Sequence, residues 1–168
     1  MKEVKLYNII FPIWMLIFFP PIIFISLAGN FIIDSLVILV CIYLFKLAVD
    51  SKEVKIIYKK SIIKVWLFGF LADIIGAIIL FILGIMGEYL GLSYEFTSAV
   101  NFDPFSNPLA VATIVFAMLV SALFIFLFNY KITFKELIAD NSTRLKVALT
   151  VAIVTMPWTF LLPTKWFY

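Results

Sequence analysis

The chain has 168 residues, 65% hydrophobic and 18% aromatic, with 13 Lys+Arg against 10 Asp+Glu. Soluble domains are roughly 45–50% apolar and about 25% charged, so 14% charged residues exclude a water-soluble globule and require an exterior that largely faces lipid. The absence of histidine excludes His-based triads, HExxH zinc sites and imidazole proton shuttles, and a single cysteine, Cys41, excludes an internal disulfide or a CxxC site.

The expected fold class is all-α, a polytopic transmembrane helix bundle forming one domain over residues 1–168. Five apolar stretches reach or approach the roughly 20 residues that cross a bilayer: Asn8–Leu27, Phe31–Val49, Val65–Met86, Leu109–Phe128 and Leu145–Leu162. Lys2 and Lys5 followed by an apolar run resemble a secretory leader, but the run is long and contains Pro12, Pro20 and Pro21, so it reads as a retained first span. The Pro20-Pro21 pair removes two backbone donors and is expected to kink or break that span. Ala28, Gly29 and Asn30 read as a tight hairpin into the second span.

The connection from Asp50 to Lys64 alternates lysines with apolar residues. It could lie on an anionic leaflet or extend the neighbouring helices into the cytosol. The connection from Gly87 to Pro108 is long for a compact membrane domain, and such loops are often binding elements or covers. Its acids Glu88, Glu95 and Asp103 lack the spacing of a calcium loop.

Basic residues sort by side. Twelve of the 13 Lys+Arg fall before the first span, in the second connection and in the fourth, leaving only Lys165 for the alternate segments. By the positive-inside rule this places the N-terminus in the cytoplasm and the C-terminus outside. The net charge of +3 is therefore an orientation signal, and nucleic acid is not an expected partner. The expected location is the cell membrane; abundant Ile, Phe and Lys hint at a bacterial source.

Small residues recur at helical spacing: Gly69, Ala72, Asp73, Gly76, Ala77 and Gly84 in the third span, Ala110, Thr113, Ala117 and Ser121 in the fourth, Ala148, Ala152, Thr155 and Thr159 in the fifth, and Asn30, Asp34, Cys41 and Ala48 in the second. In lipid such stripes let helix backbones approach closely. Spans two to five are expected to pack together, with the first at the periphery.

Asp34 and Asp73 are the two acids inside the expected spans, and an ionisable group there is costly enough to be a functional candidate. Measured from the midpoints of these spans, Asp34 falls about 9 Å to the outer side and Asp73 about 4 Å to the inner side. Two polar layers follow: Asp73 with Ser121 and Thr150, and Asp34 with Thr113 and Thr159, with Asn30 above. Asp73 could bind and release a proton or small cation, or donate one hydrogen bond that fixes helix register.

The run Gly29–Asp34 followed by Ala72-Asp73 faintly resembles the acid motifs of the lipoprotein signal peptidases. The Asn-to-Asp spacing is one residue too long, and the Arg and Asn beside that family's acids are missing. The presenilin-type GxGD is also absent around Asp73. Acids some 13 Å apart in depth cannot share one water, so no family is assigned and no enzyme, cofactor or metal site is expected. The leading expectation is a non-enzymatic subunit in the lipid bilayer that binds a protein partner or itself through packed faces and the outer loop. A proton- or cation-handling channel or carrier using Asp73 is the alternative.

Overall fold

The computed structural model describes residues 12–18, 20–87 and 89–166. Five α-helices carry the fold: α1 (Pro20–Leu44), α2 (Ser51–Met86), α3 (Tyr94–Asn101), α4 (Pro108–Phe128) and α5 (Asn141–Thr155). Short 3-10 turns at Ile13–Phe18, Pro104–Ser106, Trp158–Leu161 and Thr164–Trp166, and a π-turn at Asn129–Thr133, join or flank them. No strand occurs among the described residues. Among the described residues, four helical segments are long and apolar enough to cross a membrane.

The main departure from expectation lies in α1. Ala28, Gly29 and Asn30 do not form a hairpin; they sit in the middle of one continuous 25-residue helix, and Gly29 has no left-handed backbone. Turn signals are weak in lipid, where glycine is common within spanning helices and a helix satisfies every backbone group internally. Pro20 and Pro21 open α1, where the missing N–H groups are unpaired in any case and the fixed φ suits the first turn, so the expected stretch is interrupted at the proline pair, as a break and not as a kink within a helix. The expected first span is therefore not one helix. Its residues 13–18 are a 3-10 turn, its last eight belong to α1, and Asn8, Ile9, Ile10 and Phe11 lie outside the described residues, as do Lys2 and Lys5.

α1 is pinned to α2 by two long side chains. The Trp66 indole N–H donates to the Leu27 carbonyl at 2.7 Å, and its ring meets Phe31 edge-on at 6.0 Å. Lower down, the Tyr58 hydroxyl donates to Ser35 Oγ at 3.0 Å.

α2 has 36 residues, a length of about 54 Å against a hydrocarbon core of about 30 Å. The lysine-bearing residues 51–64 continue the apolar helix without a break, so this connection extends a neighbouring helix and is not a separate segment. Lys52, Lys55, Lys59, Lys60 and Lys64 are all exposed there. Asp50 caps the start by accepting from the Glu53 N–H at 2.7 Å, while Glu53 accepts from the Val49 N–H at 2.8 Å, a reciprocal arrangement that satisfies two free donors. The apolar remainder, Val65–Met86, is the expected span.

The small residues of α2 are used inside the molecule. Gly69, Ala72, Asp73, Gly76, Ala77 and Gly84 are all buried. At Gly76 a β-carbon would collide with the Ser121 hydroxyl and lie 3.1 Å from the Ala117 carbonyl oxygen, so the glycine is what lets α2 and α4 come together. At Gly84 the space is taken by Asn101 and Trp14.

The Gly87–Pro108 connection folds back on the bundle. Ser93 caps α3, whose Thr97, Ala99 and Val100 are buried. Asn101 Nδ2 donates to the Gly84 carbonyl at 2.9 Å, and the Trp14 indole donates to the Val100 carbonyl at 3.4 Å. Thr164 Oγ1 donates to the Asn101 carbonyl at 3.1 Å, and Lys165 pairs with Asp103. Glu88 lies outside the described residues. The 3-10 turns at either end of the described chain thus meet at one end of the bundle, and the lysine-rich ends of α2 and α5 lie at the other.

α4 opens with Asn107 accepting from the Leu109 N–H, with Pro108 in its first turn. α5 opens with Asp140 accepting from the Thr143 N–H at 2.8 Å. It has only 15 residues, about 22 Å, because Pro157 cannot continue the ladder. The chain completes its path toward the far end in the turn Trp158–Leu161.

Two apolar clusters result. One, at the lysine-rich end, joins Ile38, Cys41 and Ile42 of α1 with Ile62 and Val65 of α2 and Val147 and Val151 of α5. The other, at the far end, joins Leu80 of α2, Val100 of α3, Ile114 and Met118 of α4, Trp14 and Phe160.

Candidate functional site

The two clusters leave a wedge between them. α1 and α5 share the cluster at the lysine-rich end, but α5 stops at Thr155 while α1 continues toward the far end. The space between is a cavity of about 340 Å³. Its α1 wall is the stripe Ser26, Gly29, Asn30, Ile33 and Asp34; α2 contributes Gly69 and Asp73; Val154 through Phe160 close the third side, with Ile13 and Trp14 at the top. The spacing of the α1 residues, three and four apart, presents one face of a helix.

Asp34 is 3% exposed and Asp73 is 7% exposed. Gly69 and Asp73 are one turn apart on α2. A β-carbon placed at Gly69 would stand 3.7 Å from Asp34 Oδ2, so the α1 carboxyl group lies against Gly69 and about 6 Å along the helix from Asp73. The two acids are within electrostatic reach of each other and line one cavity.

This overturns the expectation that they sit in separate layers some 13 Å apart. The error came from the hairpin. With α1 running from Pro20 to Leu44, Asp34 lies two residues past the helix midpoint and not near an outer end. The depth argument against a shared water falls with it.

Among the described residues, no N–H or O–H donates to either carboxylate, and Asp73 Oδ1 is fully enclosed without a partner. The described ion pair is Lys165 with Asp103 at the periphery; the remaining described lysines and the arginine lie at the opposite end of the bundle. Two carboxylates in an apolar wedge with neither donor nor counter-charge are costly to hold as a pair of anions. A proton or monovalent cation placed between them would offset one of the two charges and leave the pair a single anion. No group of three or more His, Cys, Asp or Glu that could hold a metal forms among the described residues.

Of the other candidates, Asn30 and Thr159 do line the cavity. Ser121 does not: it is fully buried against Gly76, with its hydroxyl unpaired. Thr150 Oγ1 donates to the Lys146 carbonyl of its own helix at 2.9 Å and lies outside the cavity. Thr113, half-buried on α4, is also outside it. The layer of Asp73, Ser121 and Thr150 therefore does not form. Sequence reading missed Ser26, Gly69, Trp158 and Phe160 as cavity residues; the i, i+4 pairing of Gly69 with Asp73 was the available signal.

Among the residues that line the cavity, Ile33 at 48%, Val154 at 48% and Trp158 at 53% are exposed apolar side chains, and Thr159 is exposed beside them. Comparisons with protein-family models, with curated proteins and with solved structures gave no match to this chain.

Proposed function

We propose that this chain is a multi-pass membrane protein that binds protons or cations at the Asp34–Asp73 pair and carries them through the bilayer. The observation that carries the reading is the pairing itself: two buried carboxylates from different helices line one cavity, with no donor or counter-charge to either among the described residues. Intramembrane acids that face a bundle interior commonly mark ion and proton pathways. The positive-inside rule puts the lysine-rich end in the cytoplasm, so the cavity opens toward the outer half of the cell membrane.

A partner-binding or self-associating subunit, the other reading of the sequence, draws less support. The small-residue face of α2 and the Gly87–Pro108 connection, the features it relied on, are both engaged within the chain. Exposed Tyr89, Leu90, Tyr94 and Phe105 are what remains of that surface among the described residues.

A second reading deserves a test because the same pair favours it. Two acids on one cavity are the minimum for activating a shared water, and a sideways opening would admit a membrane-embedded chain. Cleavage of model transmembrane peptides in reconstituted vesicles would support it.

The main reading is tested by flux. Purified protein in liposomes loaded with a pH-sensitive dye should dissipate imposed proton or monovalent-cation gradients, and Asp73→Asn should abolish this while circular dichroism stays unchanged. Wild-type flux no greater than that of empty liposomes, or flux indifferent to Asp73→Asn, contradicts the reading.

A further inference from the structure

We infer that the cavity takes an amphiphilic organic ammonium ion, an amine with an apolar body, which reaches it sideways from the bilayer. The inference rests on the cation-handling reading and names the ligand class.

Volume is the first argument. At about 340 Å³ the cavity far exceeds a proton or a bare monovalent ion, and it falls within the range of roughly 300–1,000 Å³ typical of small-molecule sites. The second is the division of the lining. Asp34 and Asp73 both line the cavity and are more than nine-tenths buried, and an ionised carboxylate can only accept. An alkylammonium group carries up to three donors on one positive nitrogen, enough to reach both acids a helical turn apart. Trp158, Phe160 and Ile33 line the same cavity and suit a hydrocarbon body; the aromatic faces also attract a cation.

The rim is the third. Ile33, Val154 and Trp158 are exposed where lipid would lie, so a ligand with a membrane-soluble body has a direct route. Among the described residues no lysine or arginine lines the cavity, so anionic amphiphiles of the same length meet only like charge from them. Size, charge and route together describe an organic ammonium ion better than an inorganic one.

The test uses the full chain in nanodiscs, with radiolabelled n-octylammonium as probe and octanoate and octanol as comparisons. Saturable octylammonium binding is expected, weakened at least about tenfold by Asp73→Asn or Asp34→Asn, with no saturable octanoate binding. Because the variants could lose their fold, a second measurement uses wild type alone. Dicyclohexylcarbodiimide should modify Asp73 or Asp34, as located by mass spectrometry, and saturating octylammonium should protect them.

Absence of saturable octylammonium binding, binding unchanged in both folded variants, or labelling of the acids unaffected by octylammonium would each overturn the inference. Proton flux measured on the same preparations separates the two claims. Flux dependent on Asp73 without octylammonium binding leaves the cation-handling reading standing and defeats the inference alone, whereas loss of both defeats both.

Discussion

Asp34 on α1 reaches the vicinity of Asp73 on α2 because the residue one turn before Asp73 is Gly69. The β-carbon that Gly69 lacks would stand 3.7 Å from Asp34 Oδ2, an ordinary van der Waals distance. One methyl group therefore fits, and a branched chain does not. Gly69→Ala is expected to preserve cation flux in proteoliposomes, and Gly69→Leu to displace the Asp34 carboxyl group and abolish it. Equal flux in the two variants would break the link between Gly69 and the acid pair.

The α2–α4 contact makes an independent prediction. No space exists for a side chain at Gly76, where the Ser121 hydroxyl and the Ala117 carbonyl close in. Gly76→Val should destabilise the bundle by about 1–3 kcal/mol, the usual range for overpacking. Ser121→Ala removes a buried hydroxyl without a partner and should change stability by less than about 1 kcal/mol in either direction. Denaturant titration in detergent micelles checks both, and Gly76→Val should be the less stable by a clear margin.

The course of α1 is directly measurable. In a Cys41→Ser background, a single cysteine at Ala28, mid-helix and outside the cavity lining, should resist a membrane-impermeant thiol reagent applied from either side. A cysteine replacing exposed Lys52 or Lys135 should react from the lysine-rich side. Rapid labelling at position 28 would restore the hairpin and a fifth span.

Much of the architecture was legible in the sequence because lipid makes apolar length a strong signal. Val65–Met86 and Leu109–Phe128 match the apolar part of α2 and nearly all of α4. The small-residue stripe of α2 correctly marked its buried face. Gly29 and Asn30 misled because their turn preference is a property of water-exposed chain, and in a bilayer an unbroken helix wins. Asp34 was misplaced as a consequence, and with it the site. The cavity also depends on where α5 ends, and Pro157 marked that stop inside what read as a span to Leu162. Trp158 and Phe160 turn back over the acids only because of it, a tertiary relation that no local pattern encodes.

At the lysine-rich end, the cap of α5 predicts a pH dependence. Hydrogen bonding from Thr143, through its side chain and then its backbone N–H, holds the Asp140 carboxyl group below the usual carboxylate range. A group more acidic in the folded state contributes stability that is full above its unfolded value, near pH 4, and lost as pH falls through its folded value. Asn also caps helices well, so Asp140→Asn removes the charge and keeps the cap. Thermal unfolding in detergent should show wild type above Asp140→Asn at pH 7, with the gap closing below about pH 4. A gap that is constant across this range would place the effect elsewhere.

The central claim, that Asp34 and Asp73 form one site, is tested most directly by a double-mutant cycle on flux. Proteoliposomes carrying wild type, Asp34→Asn, Asp73→Asn and the double variant are compared under one imposed gradient, each first shown to be folded. If the acids act as a unit, each single substitution removes nearly all protein-dependent flux and the double variant loses no more. Partial losses that multiply in the double variant, or an Asp34→Asn protein that carries ions as wild type does, would show two independent acids and contradict the shared site.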